Sequence, residues 1–353
     1  MNFRLRWSGM SILAVIGLHW LLASHALGGP SIPKNMDADS PAATSDANSE
    51  RLSKAIGAVV KLKAKALPNA RSLATLGAER EGSGIVVGPN GLILTIGYLI
   101  VETETIEVED SQGKLVPAAT AAYDHGSGFG LVRALAPLGI APIELGNSGN
   151  LAENDNVIVA AAGGIDAASS TVVVSRRRFA GYWEYMIDDA IFTSPPRFDH
   201  SGAALIDHTG ALVGVGSLIV ADALSSQRRL PGNMFVPVNL LKPILEEMVQ
   251  TGSSRRGKRP WLGITSQEIE GRVFIAKVQA DGPAERAGLK QGDIVLRVGA
   301  AKVTRLEEFY GSLWKDRVPG DVVTLTVLQG NEVKTITVTS IDRADYIRVK
   351  TRV

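Results

Sequence analysis

The 353-residue sequence contains no cysteine, and only 5% of its residues are aromatic. Without cysteine the chain can form no disulfide, no metal–thiolate site and no cysteine nucleophile. Neither sign of charge is in excess, because 37 Lys and Arg stand against 36 Asp and Glu. Bulk charge therefore gives no reason to expect nucleic acid or an anionic lipid surface as a partner. We also expect no metal and no cofactor.

The N-terminal segment has the pattern of an export signal. Arg4 and Arg6 precede the apolar stretch Ile12–Ala23, and the small residues Ser24 and Ala26 follow at the cleavage positions. The stretch is shorter than the roughly 20 residues that span a bilayer. We expect residues 1–26 to be a cleaved signal peptide and the protein to be periplasmic. An uncleaved membrane anchor is the alternative.

The rest of the chain divides by composition. Short apolar runs separated by turn residues predict a mostly β chain, arranged as a sandwich or a pair of barrels. An amphipathic pattern with a capping residue predicts a helix over Asn239–Thr251. The predicted segments are a disordered tether (27–50), a first β domain (51–252), a polar linker (253–259), a smaller second domain (260–342) and a C-terminal tail (343–353).

Two sets of short motifs stand out. The first comprises Gly82–Ile85, Gly91–Thr95 and His200-Ser201-Gly202-Ala203, and the second comprises Trp261-Leu262-Gly263-Ile264 and Gly282–Leu289. Together they resemble the HtrA (Deg) family of serine proteases, and the resemblance extends over most of the chain after the tether. It implies a trypsin-like double β-barrel followed by a PDZ domain.

The resemblance places a nucleophile at Ser201 but does not supply its partners. In the same register the family's catalytic histidine falls on Tyr98 and its aspartate on Gly128. A tyrosine with a pKa near 10 is protonated at neutral pH, and a glycine offers no carboxylate. The oxyanion-hole position two residues before the serine is Asp199, whose charge we expect to oppose a developing oxyanion. We interpret Ser201 as a remnant nucleophile and the chain as a pseudoprotease.

Two alternatives to a pseudoprotease remain, and the first is an active enzyme. After removal of the signal peptide the chain keeps His125, His200 and His208. Adjacent side chains on an extended strand diverge, so His200 is poorly placed to activate its neighbour Ser201. A residual or rewired endopeptidase that uses Ser201 is the second hypothesis, and a chaperone-like protein is the third.

The resemblance implies that the loop Trp261-Leu262-Gly263-Ile264 binds peptides. Consecutive backbone N–H groups in such a PDZ loop hold a terminal carboxylate, while the peptide adds as a strand to the sheet. The expected partners are C-terminal or unfolded peptides and envelope proteins. A groove occupied by the chain itself is the alternative, and the tail ending at Val353, with Thr351 two residues before it, has the pattern of such a ligand.

An aromatic cluster lies at Phe179–Tyr185, with four aromatic residues in seven positions. Large aromatic side chains often dominate interaction surfaces, but the same residues could fill the core of the second barrel. Relatives in the family often form trimers through aromatic contacts near the start of the barrel. Residues 51–81 contain no aromatic residue. A homo-oligomer is therefore left open.

Overall fold

The computed structural model describes residues 41–225 and 228–347. The predicted signal peptide, the tether up to residue 40 and residues 348–353 of the predicted tail lie outside the described residues, whereas Arg343–Tyr346 of that tail form a short helix. The first described element is helix α1, Pro41–Gly57. The prediction of a disordered tether was therefore wrong for residues 41–50. Alanine has the highest helix propensity and proline is tolerated in the first helical turn, so the local preference of this segment is helical despite its low hydrophobicity.

The first six strands close into a barrel in the order β1-β2-β3-β6-β5-β4. Their bounds are Val59–Ala66, Glu79–Gly88, Leu92–Ile96, Thr103–Glu109, Leu115–Tyr123 and Phe129–Ala134 for β1 to β6. The turn between β2 and β3 is tight because Asn90 and Gly91 both adopt a left-handed conformation, with φ of 59° and 67°. Glycine and asparagine tolerate that conformation best, which explains the turn signal in the sequence.

The next six strands close into a second barrel in the order β10-β11-β12-β9-β8-β7. Their bounds are Asn156–Ala160, Ala168–Gly181, Tyr185–Ser194, Ala204–Ile206, Leu212–Val220 and Gly232–Pro237 for β7 to β12. Fully buried residues such as Phe192 and Phe235 belong to its core. The two closed barrels confirm the predicted double β-barrel. The long hairpin of β8 and β9 turns at Tyr182-Trp183-Glu184, the tip that reaches the third unit of the chain.

The helix predicted over Asn239–Thr251 is shorter than expected. Val238–Leu240 form a 3₁₀ turn, and helix α3 runs only over Leu245–Thr251. Pro243 explains the interruption, since proline lacks an N–H donor and disfavours the helical conformation of the residue before it. Asn239 does not cap the helix, and its side chain instead bonds Asn147 and the backbone N–H of Ser148. Helix α2, Leu73–Leu76, is a single turn in the first barrel.

The third unit is a sheet in the order β13-β14-β15-β17-β18, with β16 paired to β15. The strands are Ile264–Ile269, Arg272–Val278, Ile294–Val298, Ala301–Lys302, Val322–Gln329 and Glu332–Thr339, and the helices are α4 Pro283–Arg286, α5 Leu306–Trp314 and α6 Arg343–Tyr346. Helix α5 packs on the sheet through the buried side chains of Phe309, Tyr310 and Leu313.

The segment predicted as a linker, residues 253–259, is packed rather than extended. The side chain of Ser254 is buried, and a Cβ at Gly257 would collide with the carboxylate of Asp124. Arg259 donates a hydrogen bond to the backbone oxygen of Met186 in the second barrel at 2.9 Å. The third unit is therefore held against both barrels. Within the part of the chain that the structure describes, no helix has the length and apolarity needed to cross a membrane.

Candidate active site and peptide groove

Ser201 lies in the loop between β9 and β10, at the junction of the two barrels. Its backbone oxygen accepts a hydrogen bond of 2.8 Å from the N–H of Ser83 in β2. The next residue, Gly202, has a φ of 74°, and a Cβ there would lie 2.0 Å from the backbone oxygen of Ser83. Only glycine fits this approach, so the Ser201-Gly202 pair fixes the loop against the first barrel.

Tyr98 meets Ser201 directly. It lies in the 3₁₀ turn Gly97–Leu99 that follows β3, and its phenol oxygen is 2.9 Å from the Ser201 hydroxyl and 2.8 Å from the backbone oxygen of Ser217. A phenol carries one proton, and a carbonyl oxygen can only accept. The phenol hydroxyl of Tyr98 can donate to either acceptor, and its single proton serves only one of them at a time. In either case the hydroxyl of Ser201 faces a neutral phenol.

That phenol is a poor base for Ser201. Burial raises the pKa of Tyr98 to about 12, and the hydrogen bond from Ser201 opposes the rise only in part. A general base must hold its deprotonated form near the working pH to accept a proton from the nucleophile. Tyr98 is protonated throughout the neutral range. The contact is therefore a structural hydrogen bond and not a proton relay.

Gly128 lies beside the turn that carries Tyr98. Its backbone oxygen accepts a 2.7 Å hydrogen bond from Gly97, next to Tyr98. Gly128 has a φ of 80°, and a Cβ added there would lie 3.1 Å from the phenol oxygen of Tyr185. The same phenol donates to the backbone oxygen of Ser127 at 2.6 Å. Burial raises the pKa of Tyr185, which keeps it neutral. An aromatic ring thus fills the space beside Gly128 where a larger side chain would project.

The three histidines of the described chain do not activate Ser201. His200 places its Nδ1 3.1 Å from the backbone oxygen of Arg197. His125 packs edge-on against the ring of Tyr123, with centroids 4.3 Å apart, and burial lowers its pKa to about 3. His208 lies exposed in a turn. Among the described residues, no histidine nitrogen forms a hydrogen bond with the hydroxyl of Ser201.

Asp199 does not present a free charge, contrary to the expectation from sequence. The guanidinium of Arg197 holds both of its carboxylate oxygens, with distances of 2.8 Å and 2.5 Å. Arg197 is in turn fixed by the side chain of Asn233, which accepts from its N–H at 2.7 Å. A paired carboxylate opposes a neighbouring negative charge much less than a free one. The sequence signal at this position reflects a local ion pair that fixes the loop.

The PDZ-like loop at Trp261–Ile264 already holds a carboxylate. The N–H groups of Leu262, Gly263 and Ile264 donate to the two side-chain oxygens of Glu184 at 2.8, 2.8 and 2.9 Å. Glu184 is 7% exposed. Burial raises its pKa to about 7, against the opposing effect of the three N–H donors. The loop therefore holds the carboxylate of Glu184 through three consecutive backbone N–H groups.

Sequence reasoning did not identify Glu184. It singled out the aromatic cluster Phe179–Tyr185, in which Phe179, Trp183 and Tyr185 pack on the core of the barrels while Tyr182 is 54% exposed. Both interpretations of the cluster therefore hold in part, since most of its rings are core and its turn contacts the third unit. An acidic residue within an aromatic turn was the only available signal. Nothing in the sequence connects it with a loop 78 to 80 residues further on.

Comparison with known proteins defines the class. Residues 82–215 match the trypsin-like peptidase domain, and residues 260–339 match the PDZ domain. The chain is a trypsin-like peptidase domain joined to a PDZ domain. This domain order is the one expected from the resemblance to the HtrA (Deg) family, and the relatives below carry names of that family.

Two curated relatives illustrate how far the similarity extends. Serine protease HTRA1 of Xenopus tropicalis is 25% identical over 73% of this chain and 59% of its own length. The probable periplasmic serine endoprotease DegP-like of Rickettsia conorii is 26% identical over 61% of this chain and 44% of its own length. The chain thus spans about three fifths of the first relative and less than half of the second.

A solved structure described as the HtrA-type protease AlgW with decapeptide has the same fold. It superposes with a TM-score of 0.53 at 18% identity and covers 86% of this chain and 99% of its own.

Proposed function

We propose that this HtrA-family chain is a pseudoprotease, which binds peptides through its PDZ groove and acts as an adaptor or scaffold in protein quality control. The observation that carries the proposal is the hydrogen bond between Tyr98 and Ser201. It occupies the nucleophile with a phenol that stays protonated at neutral pH. In this assignment Tyr98 takes the histidine position, Gly128 the aspartate position and Ser201 is the remnant nucleophile.

The second support comes from the packing beside Gly128. Tyr185 fills the space in which an aspartate would have to project, and the left-handed backbone at Gly128 disfavours any other residue. In a well-studied serine protease, loss of the base or the nucleophile lowers turnover about a millionfold. With no histidine at position 98 and no aspartate at position 128, Ser201 has no catalytic role that this geometry supports.

The binding role is supported by the carboxylate loop. Three backbone N–H groups at Leu262, Gly263 and Ile264 converge on one carboxylate, which is the group that a peptide C-terminus presents. We therefore propose C-terminal or unfolded peptides, including those of envelope proteins, as partners. The export pattern of residues 1–26 and the periplasmic relative favour a periplasmic location.

Cleavage of an unfolded substrate separates this proposal from its alternative, a residual or rewired endopeptidase. Casein is incubated with the protein and with its Ser201→Ala variant across pH 6 to 9, and fragments are identified by mass spectrometry. We expect no cleavage by either protein, because Ser201 lacks a base. Cleavage that disappears in Ser201→Ala would establish the endopeptidase instead. A Ser194→Ala variant, at the end of strand β9 that precedes the loop, is the matched control for the loss of one hydroxyl.

A further inference from the structure

The tip of the β8–β9 hairpin lies in the peptide groove of the PDZ domain in the manner of a ligand. Its carboxylate is that of Glu184, bound by the three N–H groups of the loop. Its main chain makes one hydrogen bond to β13, in which the N–H of Ser266 donates to the backbone oxygen of Tyr182 at 2.7 Å. A peptide terminus would use the same two kinds of contact, a carboxylate in the loop and a strand-like pairing with the sheet.

The helix on the other side of the groove completes the contact. The phenol of Tyr310 in α5 donates to the backbone oxygen of Gly181 at 2.8 Å and accepts from the N–H of Glu184 at 3.2 Å. Tyr310 is fully buried and stacks on Trp314, with centroids 5.0 Å apart. The hairpin tip is therefore bonded to the loop, to β13 and to α5.

The backbone of the tip indicates that this contact determines its conformation. Glu184 has a φ of 54°, in the left-handed region that glycine and asparagine adopt more readily. A non-glycine residue there costs on the order of 1 kcal/mol or more, which surrounding contacts must offset. The three hydrogen bonds to the carboxylate supply that compensation. Glycine or asparagine would suit the turn itself better, so the glutamate at this position serves the contact with the loop.

The contact competes with any external ligand for the same donors. A hairpin of the same chain presents its carboxylate at an effective concentration that commonly reaches the millimolar range or above. We propose that Glu184 is an intramolecular ligand that closes the PDZ groove, so that a peptide with a free C-terminal carboxylate binds only by displacing the hairpin. This inference rests on the proposed peptide binding and adds its regulation.

The test measures peptide binding with and without the internal carboxylate. The probes are a pool of hexapeptides randomised at the last three positions, each with a free carboxylate, and the same pool with C-terminal amides. Binding is measured by affinity selection and mass spectrometry on the full chain, on Glu184→Gln and on Glu184→Ala. Glu270→Gln is the matched control, because Glu270 also has a left-handed φ, of 49°, but lies exposed in the β13–β14 turn.

We expect both Glu184 variants to bind the carboxylate pool at least tenfold more tightly than the unmodified chain and the Glu270 control. The amide pool should bind to none of them. Equal binding by the unmodified chain and the Glu184 variants would overturn the closed groove and leave the proposed peptide binding intact.

Amide hydrogen exchange provides a readout that needs no peptide. The N–H groups of Leu262, Gly263 and Ile264 should exchange at least tenfold faster in Glu184→Ala than in the unmodified chain, while the exchange of β17, which is hydrogen-bonded to strands on both sides, stays unchanged. If exchange increases and yet no variant retains a peptide, peptide binding itself is refuted and the regulatory inference with it. Unchanged exchange would refute the intramolecular ligand directly.

Discussion

Ser201 lies where the resemblance to trypsin-like proteases places the nucleophile, and its hydroxyl faces a phenol. Two contacts fix the conformation of the loop around it, because Gly202 fits tightly against Ser83 and Asp199 is paired with Arg197. Tyr98 bridges Ser201 and the backbone oxygen of Ser217 across the junction of the barrels. A hydrogen bond of this kind contributes on the order of 1 kcal/mol to stability and nothing to proton transfer.

Restoring the family's residues should not restore the reaction. In a Tyr98→His, Gly128→Asp double variant the new carboxylate has to displace the ring of Tyr185. The backbone of the new aspartate also has to keep the left-handed φ of Gly128. Overpacking costs about 1 to 3 kcal/mol, and the conformational strain adds to it. We expect the double variant to unfold at lower urea concentration and to leave casein intact.

The matched control is the single Tyr98→His variant, which should lose less stability than the double variant. Casein cleavage by the double variant that depends on Ser201 would contradict this account, since it would mean that the site needs only its two missing side chains.

At the scale of elements, the sequence predicted what depends on local pattern. Turn residues and alternating apolar runs were sufficient for the two barrels and the PDZ sheet. The helix at residues 239–251 was overextended because the apolar stripe outweighed Pro243, whose missing N–H starts the helix later. Residues 41–50 were predicted as disordered because their low hydrophobicity hid a helical preference.

The β8–β9 hairpin shows why the rest of the site could not be predicted from the sequence. Its aromatic cluster was recognised as an interaction candidate or as core, and its rings serve mainly as core. The carboxylate of Glu184 acts through a loop some 80 residues away. Such a contact depends on how two domains pack, which neither periodicity nor motif spacing specifies. The same holds for Tyr185, whose ring fills the space beside Gly128 from another strand.

At the scale of the whole molecule, His125 couples the fold to pH. Burial lowers its pKa to about 3 from an ordinary 6.5, and Arg343 adds to the effect. The unfolded chain therefore binds a proton that the folded chain does not between those two pH values, so stability falls as pH drops from about 6.5 toward 3. Above pH 6.5 the protonation of His125 no longer lowers the free energy of unfolding.

A His125→Gln variant should remove this dependence. Between pH 7 and pH 5 the unmodified chain should lose about 1 to 2 kcal/mol more unfolding free energy than the variant, a range that allows for partial access of water to the ring. Urea unfolding at both pH values measures it, and titration of the remaining groups cancels in the comparison. Equal losses in the two proteins would show that His125 titrates normally in the folded state.

In the proposed pseudoprotease Ser201 is not a nucleophile. A fluorophosphonate forms a covalent adduct with the activated serine of a serine hydrolase, and the intact mass of the treated protein reports that adduct. We expect no adduct at Ser201 at neutral pH, under conditions that label trypsin completely. A stoichiometric adduct that is abolished in Ser201→Ala would contradict the proposal.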